Sequence, residues 1–363
     1  MSFIDQLIAN TIRADVRAAS SYKVPDPSGF IKLDAMENPY QLPATLRTEL
    51  AKRLAEAELN RYPVSYITLK QEICARLGVP PGYDVILGNG SDELISLIAT
   101  ASAHQDRRAV ILAPTPAFVM YQRSAQFAGM DFVGVPLKAD FSLDQPAMLA
   151  AIKEHKPSVL FLAYPNNPTG NLYDAADMAE LIDALGDTGI AVVDEAYEPF
   201  ARTSFMAHLP EFENLVVMRT LSKLGLAGIR LGYMSAAPAL LAQFEKVRPP
   251  YNVNILTQVA AEFALEHLDV LDAQAVQLNA ERTALAAELA ALPGVEVFPS
   301  AANFILFRVP NSDDACAKLL ADKVLVKNLG KMDALLTNCI RVTVSTPEEN
   351  SAFLTALQAA LKP

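Results

Sequence analysis

The sequence predicts an α/β protein of two domains, a large one built on a mostly parallel sheet and a smaller α/β domain that closes the chain. Three observations predict this. A chain of 363 residues is too long for one ordinary small core, so a large domain of about 200 residues beside a smaller one is expected. Apolar residues make up 52% of it, a richness suited to a sheet covered on both faces. From Glu49 to about Arg248 short apolar runs alternate with helix-like stretches, the pattern of parallel strands joined by helices.

Residues 1–29 combine a short amphipathic pattern with SSYKVPDPSG, where prolines and a glycine oppose regular structure, and read as an arm. Residues 30–48 are grouped with the small domain, and 49–248 form the large one. Its strand candidates are DVILG at 84–88, AVILA at 109–113, SVLFLA at 158–163, IAVVDEA at 190–196, LVVMRT at 215–220 and IRLGYM at 229–234. Pro238 to Leu289 reads as helical, interrupted at Pro249–Pro250, because proline breaks the helical ladder. Residues 249–363 supply an interdomain helix and the small domain. There VEVFPS, NFILFRV, KVLVKN and CIRVTV are strands around the helical SDDACAKLLAD.

Composition narrows the function classes. A net charge of −11 with scattered basic residues offers no stripe for nucleic-acid phosphates. Cys74, Cys316 and Cys339 are widely spaced, with no CxxC pair, which suits a reduced, cytoplasmic setting without a metal. The first twenty residues carry charges every few positions, unlike a signal peptide, and no apolar run reaches the roughly 18 residues of a membrane span. The four histidines, His104, His155, His208 and His267, stand apart, and neither HExxH nor GxSxG occurs, so metal and serine-hydrolase readings lack support. A soluble metabolic enzyme acting on small molecules is expected.

Several strand ends carry chemistry. Asp194 follows the apolar run Ile190–Val193, where a carboxylate either caps the next turn or meets a cationic ligand atom. Tyr197 presents a phenol three residues on. Leu221-Ser222-Lys223 follows the strand LVVMRT, and a lysine in a site that excludes water can react as a neutral amine. Ser222 and Arg230 flank it with donors suited to a phosphate. Gly88-Asn89-Gly90-Ser91-Asp92-Glu93 turns a strand into a helix, giving either an anion site at the helix start or a simple cap by Ser91 or Asp92. It lacks the third glycine of a dinucleotide fingerprint. In YPNNPTG, Asn167 sits between prolines at a strand end, where its amide can reach a ring oxygen. Phe118, in APTPAFVMY, offers a face for a planar ring.

Taken in order, DAMENPY, NRYP, GNGSDE, PNNPTG, DEAY, TLSK, GIRLGY and IRVTV resemble the pyridoxal-phosphate (PLP) dependent aminotransferases of fold type I, specifically the histidinol-phosphate aminotransferases. The resemblance spans about Lys32 to Val344 and implies the fold type I architecture with a seven-stranded large sheet. It implies that Lys223 is the Schiff-base lysine and proton carrier, that Asp194 faces the pyridinium nitrogen, and that Tyr197 and Asn167 meet the ring hydroxyl. It also implies that Phe118 stacks on the ring, that Gly90, Ser91, Ser222 and Arg230 surround the cofactor phosphate with Asp92 in the same cofactor site, and that Tyr62 reaches the phosphate from a partner subunit, hence a homodimer with shared sites. For the substrate it implies Arg341 as the anion anchor, with Lys327, Asn38 and the arm residue Tyr22. The implied reaction exchanges an amino group between L-histidinol phosphate and 2-oxoglutarate, giving imidazole-acetol phosphate and L-glutamate in histidine biosynthesis.

This sequence departs from the family pattern twice. The stretch from Lys223 to Arg230 is one residue shorter than in many relatives, and Lys327 stands where an arginine is frequent, a point charge in place of a planar fork. Rival readings are an aromatic-amino-acid aminotransferase or a threonine-phosphate decarboxylase on the same fold. A non-enzymatic protein using GNGSDE for an anion is another, but it leaves Lys223, Asp194 and Tyr197 unexplained.

Overall fold

The computed structural model describes residues 2–21, 25–63, 66–104 and 108–362. Its strands in chain order are β1 (Ile31–Lys32), β2 (Asp84–Gly88), β3 (Val110–Thr115), β4 (Asp131–Pro136), β5 (Val159–Ala163), β6 (Ile190–Asp194), β7 (Leu215–Thr220) and β8 (Gly232–Ala236). They continue with β9 (Glu296–Val297), β10 (Phe304–Arg308), β11 (Val324–Leu325), β12 (Lys327–Asn328) and β13 (Cys339–Thr343). Seven of them form one sheet in the order β2-β8-β7-β6-β5-β3-β4. Only β8 runs antiparallel to its neighbours β2 and β7.

The central strands are apolar throughout because both of their faces are covered. Along β5, Leu160 and Leu162 enter one core, with Val193 and Val217, while Val159 and Phe161 enter the other, with Val192 and Val216. This is the two-residue alternation of a pleated strand. Each such side chain contributes about 1.5–3 kcal/mol relative to exposure. The small sheet is antiparallel, in the order β12-β13-β10-β9, and its core joins Phe304, Phe307 and Val342 to Phe353 of the last helix and to Leu33 and Met36. Residues 31–33 are bound to it through the parallel pair β1–β11 and the Thr343 N–H donating to Leu33 O at 2.9 Å.

Three local expectations are corrected. The strand expected at 229–234 is β8, which begins only at Gly232, because Ala227–Ile229 forms a 3-10 turn and Arg230 takes a left-handed φ of 54°. The edge strand β4 was not among the strand candidates, since Gly134 and Pro136 break its sequence pattern. At an edge this costs little, because one row of ladder partners is not needed. The helical stretch from Pro238 is three helices, Pro238–Phe244, Ile255–Glu266 and Leu268–Ala290. In the arm, Phe3–Thr11 and Ala14–Ala18 are helical, and Arg13 donates to Phe127 O and Gln126 O at the end of helix Val119–Ala128. Among the described residues no helix is long and apolar enough to cross a membrane.

Candidate active site

At the carboxyl end of β7 the chain turns through Ser222–Leu226, a wide turn that requires Gly225 at φ 132°, which glycine adopts without a Cβ clash. The turn carries Lys223 inward, where Nζ donates to Ala35 O at 2.9 Å. Burial, followed by the positive charge of Arg341, lowers its pKa to about 8, because an ammonium loses hydration there. About a tenth of the amine is thus neutral at pH 7, far more than for an exposed lysine.

Across the pocket, Asp194 ends β6 and is buried. Its Oδ1 accepts the Ala196 N–H at 3.2 Å and its Oδ2 accepts the Tyr121 hydroxyl at 2.7 Å. It therefore braces its own turn and also faces the pocket. Burial raises its pKa to about 6, against the opposing pull of the Tyr121 bond. A buried carboxylate of this kind has reason to meet a cation.

A third feature forms where β2 enters helix Gly90–Ser102. The cap residue is Asn89, and neither Ser91 nor Asp92 makes the simple cap; both line the pocket from the first turn. Gly90 has φ 75°, and a Cβ there would lie 2.6 Å from the Arg230 guanidinium; a Cβ on Gly232 would lie 2.8 Å from the Gly90 carbonyl carbon. The absent side chains let Arg230 close on the helix start. Arg230 reaches Ser222 Oγ at 3.4 Å and Asp92 at 3.5 Å, so the short stretch after Lys223 still delivers it. Thr220 Oγ1 donates to Ser222 Oγ at 2.9 Å and orients it. Helix-start amides, a hydroxyl and a guanidinium are together a donor set suited to a phosphate.

Asn167 joins two groups. Its Nδ2 donates to the Tyr197 hydroxyl at 3.1 Å, and its Oδ1 accepts from Arg341. Arg341, in β13, also donates to Asp34 O at 3.0 Å and lies over the Phe304 ring. Burial raises the Tyr197 pKa, so its phenol stays protonated as a donor. Phe118 lines the same cavity of about 110 Å³.

Of the other expected residues, Tyr62, Asn38 and Lys327 do not line this cavity. Tyr62 is 75% exposed, stacked on Tyr251 at 4.7 Å, and does not line the cavity. Tyr22 falls outside the described residues. Asn38 is spent on structure: its Nδ2 donates to Leu224 O and Gln274 Oε1, its Oδ1 accepts from Tyr40 N, and so it braces the lysine turn. Lys327 pairs directly opposite Arg341 across β12 and β13, which places both side chains on one face. Sequence reasoning missed Tyr121, Thr220, Met36 and the Ala35 carbonyl. Tyr121 had a signal, since it follows Phe118 in APTPAFVMY by nearly one helical turn; a backbone carbonyl has none. A larger open groove of about 660 Å³ at the amino ends of β5 and β6 brings no such set together.

The arrangement can therefore hold a phosphate at one end and a cationic nitrogen at the other, with an amine poised between them and a guanidinium for a second anion. The residues fit a phosphorylated pyridine aldehyde. The chain matches the family pattern of aminotransferase class I and II over residues 28–357. It is 60% identical to histidinol-phosphate aminotransferase 1 of Ralstonia nicotianae, covering 99% of this chain and 96% of that one. It is 59% identical to histidinol-phosphate aminotransferase 2 of Cupriavidus pinatubonensis over the whole of both chains. The crystal structure of histidinol-phosphate aminotransferase from Sinorhizobium meliloti in complex with pyridoxal-5'-phosphate superposes with a TM-score of 0.86 at 22% identity, over 97% of each chain.

Proposed function

The chain belongs to the aminotransferase class I and II family, and from that premise we propose that it is a PLP-dependent histidinol-phosphate aminotransferase. It exchanges the amino group between L-histidinol phosphate and 2-oxoglutarate, giving imidazole-acetol phosphate and L-glutamate. The near-full-length identity of about 60% to relatives of that name supports the substrate. The observation that carries the chemistry is Lys223, whose amine, lowered to about 8, shares one pocket with Asp194 and Arg230.

In the mechanism PLP, when bound, supplies an electron sink beside the substrate carbon. Ser222, Arg230 and the first-turn amides at Gly90, Ser91 and Asp92 would hold its phosphate, Asp194 its ring nitrogen, Tyr197 and Asn167 its ring oxygen, Phe118 one face and Lys223 its aldehyde carbon. Lys223 then serves as the base, taking the proton from the substrate Cα at Nζ and returning it within the pocket. Asp194 keeps a negative charge facing a cationic nitrogen in a site where water screens little. Arg341 binds the substrate anion with its planar fork, and Lys327, on the same face, adds charge suited to the phosphate.

A homodimer completes this reading. Tyr62 is exposed and outside its own cavity, which suits a phenol that reaches a partner's cofactor phosphate, and Tyr22 would close over the substrate from the partner's arm. The free Cys74, Cys316 and Cys339 suit a reducing compartment such as the cytoplasm. Single-turnover reaction of the PLP-loaded protein with histidinol phosphate, phenylalanine and threonine phosphate in parallel tests the substrate. Histidinol phosphate should react fastest; a faster reaction with either rival overturns the reading.

A further inference from the structure

Met36 holds a left-handed backbone, φ 54°, which unbranched side chains other than Asn and Asp rarely adopt. It is nevertheless fixed there. Its N–H donates to Thr343 Oγ1 at 2.9 Å and its carbonyl accepts from Asn303 Nδ2 at 3.0 Å. The two residues before it hold the reactive cations, since Asp34 O accepts from Arg341 at 3.0 Å and Ala35 O from Lys223 at 2.9 Å. The side chain that this strained segment delivers is buried and lines the active cavity beside Tyr121, Tyr197 and Lys223. Strain held by surrounding bonds at a pocket wall points to a role for the side chain.

We propose that Met36 is a specificity-determining residue, packing its thioether against the planar ring of the amino donor; the proposal rests on the activity proposed above. The cofactor-facing groups come from one edge of the large sheet, where β5, β6 and β7 end and the antiparallel β8 begins. Met36 instead arrives from the small-domain side with Arg341, the substrate anchor, so it borders the substrate. A thioether is polarizable and adapts to an aromatic face, a contact worth roughly 0.3–1.5 kcal/mol or about two- to tenfold in binding. Glutamate has no ring to receive it, and an apolar wall does nothing for a carboxylate.

The test is the ratio of kcat/KM for histidinol phosphate to that for glutamate, from half-reactions of the PLP-loaded protein followed by cofactor absorbance. Met36→Ala should lower this ratio about fivefold, mainly through weaker apparent binding of histidinol phosphate. Met36→Leu keeps the volume without sulfur and should lower it about twofold to threefold. Should Met36→Ala fold poorly, as a thermal melt would reveal, Met36→Leu carries the test. Equal losses on both substrates, or an unchanged ratio in both variants, overturn the proposal. A wild-type protein inert toward histidinol phosphate sinks the activity reading itself, which separates the two failures.

Discussion

The hydroxyl of Tyr121 donates to Oδ2 of Asp194 at 2.7 Å with both side chains buried. This bond favours the ionised carboxylate, while burial favours the neutral acid and wins, leaving the pKa at about 6. A hydrogen bond to a charged group is worth about 1.5–3 kcal/mol, on the order of one to two pKa units. Tyr121→Phe should therefore raise the Asp194 titration of the PLP-stripped protein by about one unit and loosen PLP roughly tenfold. A titration left in place would show that Tyr121 does not set this carboxylate.

Asp194 and Lys223 together contribute a dip in stability to the PLP-stripped protein. Asp194 is raised from 3.8 to about 6, so the folded state binds its proton more tightly and stability is lost as pH rises from about 4 to 6, by roughly 3 kcal/mol. Lys223 is lowered from 10.5 to about 8, so the unfolded chain binds more protons between those values and stability returns as pH rises from 8 to 10.5. Denaturant unfolding at pH 4, 7 and 10 should show this contribution as the difference between the wild type and the Asp194→Asn and Lys223→Ala variants. Lys223→Ala should lose the alkaline recovery; recovery at full size in that variant would assign it to other groups.

Behind the site, Glu195 and Arg219 form a buried ion pair at 2.8 Å, with Ser204 Oγ bonded to both and Leu77 O accepting from the guanidinium. Removing one partner strands a buried charge, at a cost of about 3–5 kcal/mol. Glu195→Ala and Arg219→Met should each destabilise by that amount, and the double variant by much less than their sum. Additive losses in a double-mutant cycle would show that the two charges do not depend on each other.

Arg341 and Lys327 stand opposite each other across two strands and should separate by substrate. Arg341→Ala should weaken both half-reactions ten- to a hundredfold, the scale of lost charge-assisted bonds. Lys327→Ala should raise KM for histidinol phosphate several-fold more than KM for glutamate. Equal changes would leave Lys327 as a solvated edge lysine.

Attachment of PLP and the shared site are tested together. Borohydride reduction and peptide mapping should place the pyridoxyl group on Lys223. Mixed Tyr62→Ala and Lys223→Ala chains should regain activity in hybrid dimers, because one of their two sites holds both intact groups. Confirmed hybrids that stay inactive would exclude Tyr62 from the partner's site.

Much of this arrangement is legible in the sequence because strand ends are. Lys223, Asp194 and Asn167 each follow an apolar run, Arg230 precedes the antiparallel β8, and the large sheet brings all four to one edge. Thr220 was not legible, since it acts through Ser222 and its reach depends on packing; Tyr121 left only the signal of its spacing from Phe118. Asn38 was expected at the substrate, yet its amide is consumed by Leu224 O and Gln274, a competition that spacing does not reveal. The strand β4 was hidden by Gly134 and Pro136, residues that an edge accepts and a centre does not.

The bridging position of Asn167 restricts which amino acids evolution can place there. Arg341 presents only donors and so demands an acceptor, while the Tyr197 hydroxyl oxygen takes a proton from the other arm of the same planar group. Aspartate would satisfy the first neighbour but could only accept from the second, drawing the Tyr197 proton away from the pocket instead of leaving it free to donate there, and leucine of similar shape would serve neither. Glutamine has both atoms but one more methylene, which a loop set between Pro165 and Pro168 must retreat to accommodate. Position 167 is thus constrained by hydrogen-bonding valence as well as by volume, from two neighbours at once.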